Sequence, residues 1–219
     1  MKIKRLFDGV FRIDGRLATV NLAKGIKVYG EDLVDDDGIQ YRMWNPYRSK
    51  LAAAIMNGLK TLSMTTGSHV LYLGAATGTT SSHVSDIVGA GGLVYCIEIS
   101  ERSMRDLIRM CEKRSNILPI LQDARNVGAY RSDVGTVDVL YQDVSARDQD
   151  HILLMNSELL KKGGYAYVAI KSQSIDISRN PEEVFKEFLD SAMSKFDVIE
   201  RLDMSPYDDM HLFVVLRKK

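Results

Sequence analysis

Cysteine, proline and tryptophan are scarce in this chain of 219 residues, at two, four and one respectively. Cys96 and Cys111 form no CxxC pair and the four histidines show no ligand spacing, so neither a disulfide framework nor a zinc module is expected. No apolar run approaches the roughly 18 residues of a membrane span. The opening MKIKRLFDGVFRIDG interrupts its hydrophobics with charge too often for a secretory leader. The expectation is a soluble, cytoplasmic protein with no metal and no membrane partner. An excess of either charge is missing too, since Lys plus Arg and Asp plus Glu are both 29. A chain without a net field holds polyanions weakly on its own, so contact with nucleic acid must be local or delegated to a partner.

What is present, 45% hydrophobic and 26% charged residues, suffices for the core of one ordinary domain with a small appendage. From Val10 to Leu33 short alternating segments are punctuated by Gly15, Gly25 and Gly30, with Asp14-Gly15 as a hairpin signal. This predicts a small β unit, basic through Gly30. It is followed by an acidic, turn-rich break at Asp35-Asp36-Asp37-Gly38 and a domain boundary after Trp44. Asn45-Pro46 then reads as a capped helix start running through Lys50 to Met56.

From His69 onward, short apolar runs alternate with helical stretches. Strands are predicted at 70–73, 93–99, 117–121, 137–141, 165–170, 198–202 and 212–216, and helices at 79–88, 100–114, 148–160 and 181–195. The alternation implies a mostly parallel sheet covered on both faces. The loop from Asp203 to Met210 is too short for a crossover helix, so the last two strands should pair antiparallel.

Chemistry-bearing residues collect where those strands end, which is where ligands bind in such sheets. The first ends in Gly74-Ala75-Ala76-Thr77-Gly78-Thr79-Thr80, a small-residue turn leading into a helix. It lacks the Gly-Lys-Ser/Thr of a P-loop and the GxGxxG of a dinucleotide fingerprint. Glu98, Asp123 and Asp143 end or follow the next three strands, on the same edge. An acid in the first of these places can accept from both ribose hydroxyls, and one in the second from an adenine amino group, which together suggest a nucleoside-bearing cofactor. Lys171 ends the fifth strand, Lys50 lies in the first turns of the early helix, and His211 opens the last strand.

WNPYRSKLAAAI, VLYLGAATGTTSSHVSDIVG, GLVYCIEIS, Arg105-Asp106-Leu107, LQDAR, Asp143-Val144 with Gln149 behind it, and PYDDMH together resemble fibrillarin, and more closely the archaeal fibrillarin-like RNA 2′-O-methyltransferases. The resemblance runs from about Tyr41 to the end, in order and with matching spacing. The basic β unit before it is similar to the small N-terminal domain of the archaeal members, and the Gly/Arg-rich tail of eukaryotic members is absent.

The resemblance implies an α/β fold of the Rossmann-like S-adenosylmethionine-dependent methyltransferase type. That fold is a seven-stranded, mostly parallel sheet with an antiparallel last strand, here residues 45–219, preceded by a β-rich domain, residues 1–44. It also implies methylation of ribose 2′-hydroxyls in rRNA and tRNA with S-adenosyl-L-methionine as donor. The target would be chosen by a box C/D guide RNA in a particle with a Nop-domain scaffold protein and a kink-turn-binding protein.

By the family pattern the cofactor is held by Gly74, Ala75, Thr77, Gly78, Thr79 and Thr80, by Glu98 and Ile99 at the ribose, and by Asp123 and Ala124 at the adenine. Asp143, Val144, Ser145, Ala146 and Gln149 flank the methionine end. Lys50, Asp143, Lys171 and His211 fill the family's catalytic tetrad. Ile99 stands where many members have Phe, and Met210 where an Asp usually precedes the histidine, which leaves open the carboxylate that orients His211. The alternative, a stand-alone ribose methyltransferase of the heat-shock rRNA type, would close the tetrad with Glu.

Overall fold

The computed structural model describes residues 1–219. Its first sheet comprises β1 (Ile3–Phe7), β2 (Val10–Ile13), β3 (Arg16–Val20), β4 (Leu33–Asp36) and β5 (Ile39–Met43), all antiparallel, in the order β1-β2-β3-β5-β4. Asp14-Gly15 turns the β2–β3 hairpin as expected, both residues taking positive φ (46° and 87°), which suits the twist of the flanking strands. Asp37-Gly38 (47° and 80°) does the same between β4 and β5. The acidic stretch expected to be a break after the β unit is thus the tip of its last hairpin, with Asp36 opposite Ile39.

The sheet does not stand apart from the rest of the chain. Val10, Leu17 and Trp44 belong to the same apolar cluster as Leu51, Val84 and Ile87.

The second sheet contains β6 (His69–Leu73), β7 (Leu93–Glu98), β8 (Ile117–Leu121), β9 (Val137–Gln142), β10 (Leu160–Lys171), β11 (Phe196–Asp203) and β12 (His211–Lys218), in the order β11-β12-β10-β9-β6-β7-β8. Neighbours from β8 across to β10 are parallel, and β12 runs antiparallel to both β10 and β11, as the short last loop predicts. The helices are α1 (Lys50–Met56), α2 (Thr79–Val88), α3 (Glu101–Cys111), α4 (Arg131–Val134), α5 (Gln149–Asn156), α6 (Ser172–Ile175) and α7 (Pro181–Ala192).

One face of the sheet buries its side chains with those of α1, α2 and α3, the other with those of α5 and α7. That double cover explains why the central strands read as unbroken apolar runs. Strand order reverses between β6 and β9, which opens a crevice at their carboxyl ends.

Further differences from expectation lie around α1 and β10. The helix predicted from Asn45 is two pieces, a single 3-10 turn at Pro46–Arg48 and then α1. Ser49 between them is extended (φ −150°, ψ 114°), and its hydroxyl accepts from Ala52 N–H to cap α1 afresh. The helix predicted to reach Leu160 ends at Asn156, and β10 starts at Leu160 instead of Tyr165. Gly164 permits that extension, because a Cβ there would lie 2.9 Å from the carbonyl oxygen of Asp138.

Candidate active site

At the end of β6 the chain turns on Gly74, whose φ is +79° and where a Cβ would come within 2.9 Å of the Asp143 carbonyl oxygen. Only glycine allows this turn to press against the end of β9. Gly78 (φ +97°) precedes α2 in the same way, packed against Met110 and Leu107 of α3. Between them the Ala76 amide donates to Glu98 Oε2 at 2.7 Å, while Glu98 Oε1 accepts from Ser100 N–H at 2.8 Å. The carboxylate at the end of β7 therefore fixes the glycine turn as well as facing the crevice.

Asp123, beyond β8, accepts from Arg125 N–H at 2.9 Å and pairs with its guanidinium at 3.2 Å. That guanidinium also makes a two-pronged bond to Asp148, at 2.8 and 2.6 Å.

These turns enclose a cleft of about 410 Å³. Of the sequence-predicted cofactor residues, Gly74, Glu98, Ile99, Asp123, Ala124, Asp143, Val144, Ser145 and Ala146 line it, and Ala76, Ile97, Gln122, Arg125 and Ile152 are additions. The others sit behind or beside the wall. Ala75 and Gly78 are buried, Thr77 is exposed at the tip of the turn, and Thr79 is half-buried at the start of α2. Thr80 is buried and donates to Ser49 Oγ at 3.0 Å, tying the start of α2 to the cap of α1.

Gln149 is fully buried. Its Oε1 accepts from Lys171 N–H at 3.1 Å and its Nε2 donates to the carbonyls of Ala146 and Lys171, so it shapes the wall without facing the cleft.

Lys50 and Lys171 join the cleft at Asp143. Lys171 Nζ lies 2.8 Å from Asp143 Oδ1, donates to the Asp143 carbonyl oxygen at 2.8 Å, and donates to Ser145 Oγ at 3.1 Å. Lys50 Nζ lies 3.3 Å from the same Asp143 Oδ1 and 3.4 Å from Asp208 Oδ2. Burial pulls the Lys50 pKa down, but Asp143 and Asp208 outweigh it and hold the ammonium above its ordinary range.

His211 is not on the cleft wall. Its Nδ1 stands 2.8 Å from Asp208 Oδ1 and 2.9 Å from the Asp209 carbonyl oxygen. Asp208, which sequence reasoning did not single out, is thus the carboxylate that orients His211 and links it to Lys50. Its backbone N–H donates to the Met204 carbonyl at 3.1 Å, which sets the turn that presents it. The Asp-Asp pair before Met210 carried the signal, since a carboxylate three residues before His211 can fold back to the ring.

All four tetrad candidates are therefore connected in one chain of charges, His211–Asp208–Lys50–Asp143–Lys171, beside a cleft with separate polar anchor points and apolar walls. Such a site can hold an extended amphipathic ligand and present two lysine side chains to a reacting centre near Asp143.

Comparison with known proteins gives a consistent result. The family model described as fibrillarin matches residues 1–219. A fibrillarin-like rRNA/tRNA 2′-O-methyltransferase of Pyrococcus horikoshii is 49% identical over 221 residues, covering 98% of this chain and 97% of that one. Among solved structures, Aeropyrum pernix fibrillarin in complex with natively bound S-adenosyl-L-methionine superposes with a TM-score of 0.91 at 41% identity, covering 99% and 98% of the two chains. A fibrillarin/Nop5p complex superposes with a TM-score of 0.91 at 37% identity, covering 99% and 100%.

Proposed function

The chain belongs to the fibrillarin family, and on that footing we propose that it is an S-adenosylmethionine-dependent methyltransferase of ribose 2′-hydroxyls in rRNA and tRNA. The observation that carries this is the shared position of Asp143. Its carbonyl packs on the cofactor-side glycine turn, and its carboxylate holds both lysines.

The cleft fits the cofactor. In this reading Glu98 would take the ribose hydroxyls, Asp123 an adenine amino group, Ile97, Ile99, Ala124 and Ile152 the purine faces, and Asp143 to Ala146 the methionine end, all of them lining the one cleft. When bound, the cofactor supplies an electrophilic methyl group on a sulfonium.

The protein's own task is to align the acceptor hydroxyl and relieve it of its proton. Lys171 is the group that deprotonates or polarises the 2′-oxygen. Asp143 holds the lysine in place. Lys50 and His211, joined through Asp208, position the ribose and its phosphate.

Target choice is assigned to a box C/D guide RNA, delivered in a particle with a Nop-domain scaffold protein and a kink-turn-binding protein. Two facts support delivery by partners, the balanced charge of the chain and the solved complex of a 37% identical fibrillarin with Nop5p. Residues 1–44 and 45–219 serve in this reading as a bracing unit and a catalytic unit.

The test is transfer of labelled methyl to guide-matched RNA in the assembled particle under single-turnover conditions, with a 2′-deoxy target as control. Lys171→Met should lower the rate by roughly 10²- to 10⁴-fold, the usual worth of a positioned proton acceptor. Turnover near that of the wild type would overturn the role, and label on the deoxy target would overturn the reaction.

A further inference from the structure

A second hollow, of about 150 Å³, shares Lys50 and Asp143 with the cofactor cleft and is otherwise walled by Pro46, Tyr47, Arg48, Ser49, Tyr207 and Asp208. Tyr47 is 68% exposed. It buries little apolar area, so core packing does not account for its position. Tyr207 meets it edge to face, with ring centroids 5.0 Å apart, and Tyr207 itself rests on the main apolar cluster.

Both rings are held on fixed backbone. The Asn45 side chain accepts from Tyr47 N–H at 2.9 Å, and Tyr207 N–H donates to the Met204 carbonyl at 2.9 Å. Asn57, just past α1, donates to the carbonyls of Asp203 and Ser205 at 2.8 and 3.0 Å, which clamps the loop that carries Tyr207. Beside them Arg48 is exposed and has no carboxylate partner. Its guanidinium lies over the Tyr29 ring, 5.1 Å from the centroid, and donates to the Tyr29 carbonyl at 3.4 Å.

We infer that this hollow receives the acceptor RNA strand, with a base stacked on Tyr47 and a flanking phosphate held by Arg48. The inference rests on the methyl-transfer reading and names the residues that bind the nucleic-acid side of that site. An aromatic ring open to solvent beside an unpaired guanidinium is the pairing that single-stranded nucleic acid uses, because every base has a face to stack and every link a phosphate to neutralise. Because the two hollows meet at Lys50 and Asp143, a nucleotide seated here brings its ribose to the groups that act on it. Tyr207 preorganises the platform, so little ordering is left for the moment of binding.

The experiment compares wild type, Tyr47→Ala, Tyr47→Phe and Arg48→Ala in the assembled guide particle. It measures kcat/KM for target RNA at saturating cofactor, and cofactor affinity by equilibrium dialysis. Tyr47→Ala should lower kcat/KM for RNA roughly 5- to 150-fold, the range that loss of one base–aromatic stack gives. Tyr47→Phe should stay within about twofold of wild type, since stacking needs the ring and not the hydroxyl. Arg48→Ala should weaken RNA use and flatten its salt dependence by about one charge. Cofactor affinity should be unchanged in all three.

With an active wild type, Tyr47→Ala at the wild-type rate, or Tyr47→Phe as impaired as Tyr47→Ala, would overturn the platform and leave the methyltransferase reading standing. A wild-type particle that transfers no methyl would overturn both.

Discussion

Asp86 on α2 is the residue whose loss should cost this fold most. Its side chain is fully buried and its two oxygens serve four partners. Oδ2 accepts from Arg42 Nη1 and from Thr19 Oγ1, each at 2.8 Å, while Oδ1 accepts from Leu22 N–H at 2.9 Å and from Arg114 Nη1 at 2.5 Å. Arg42 also pairs with Glu31 at 2.7 Å, so the buried set of two guanidiniums and two carboxylates is neutral. Asp86→Ala leaves Arg42 with Glu31, but leaves Arg114 only the neutral oxygens of Ser82, Ser85 and Asn21.

Removing one partner of a buried pair typically costs about 3–5 kcal/mol, most of it the penalty of the charge left behind. For a chain of this length each kcal/mol moves Tm by about 2–4 °C, so the loss should be about 6–20 °C. Glu187→Ala is the control. It breaks a two-pronged bond to Arg179 on a side chain that is 64% exposed, where solvent screens the pair, and should leave Tm close to that of the wild type. The assay is thermal unfolding followed by circular dichroism at neutral pH. Asp86→Ala melting within about 3 °C of wild type would refute the claim that this network joins the first sheet to α2.

Asp208→Asn removes the charge that links Lys50 to His211 and should lower kcat about 10- to 100-fold with cofactor affinity unchanged; an unaltered rate would free His211 from any need of it. Ile99 is 63% exposed on the cleft lip, and Ile99→Phe should tighten cofactor binding a few-fold through added aromatic contact, with calorimetry as the check. The His83 pKa lies well below its ordinary value because burial and the nearby Arg42 and Arg114 oppose a charge. The unfolded chain therefore takes up the proton first, and the stability owed to neutral His83 is complete above about pH 6.5 and lost as pH falls below it. The fall in Tm between pH 7 and 5 should be shallower in His83→Gln.

The alternation of strands and helices was legible because each element's period is local, and the antiparallel last pair because a short loop excludes a crossover. The strand-end acids and Lys171 were legible for the same reason: the end of an apolar run is visible in the sequence, and the fold puts all such ends on one edge. What escaped depends on contacts distant in sequence. Nothing near Ser49 announces that the helix breaks there, because Thr80, on α2, bonds its hydroxyl. Asp35 to Gly38 reads as a solvated break until the β4–β5 pairing is known. Asp208 looks like one more loop acid, and its role appears only when α1 brings Lys50 to it. Asp86 gave no signal either, since an acid in a helix is ordinarily exposed and here meets arginines from two separate segments.

The break at Ser49 also explains how one short helix serves both halves of the site. Had the helix run unbroken from Asn45, Lys50 would sit inside it, not at the position after a cap. Instead Ser49 restarts the helix, and Thr80, next to the glycine turn, holds that cap in place. Lys50 thereby stands at a helix N-terminus, where the helix dipole disfavours a cation. Two carboxylates, Asp143 and Asp208, face it and more than compensate. The same break leaves the preceding turn free to present Tyr47 and Arg48 outward. A cap that costs the helix its continuity is what sets the glycine turn, the charged lysine and the exposed aromatic ring around a single carboxylate.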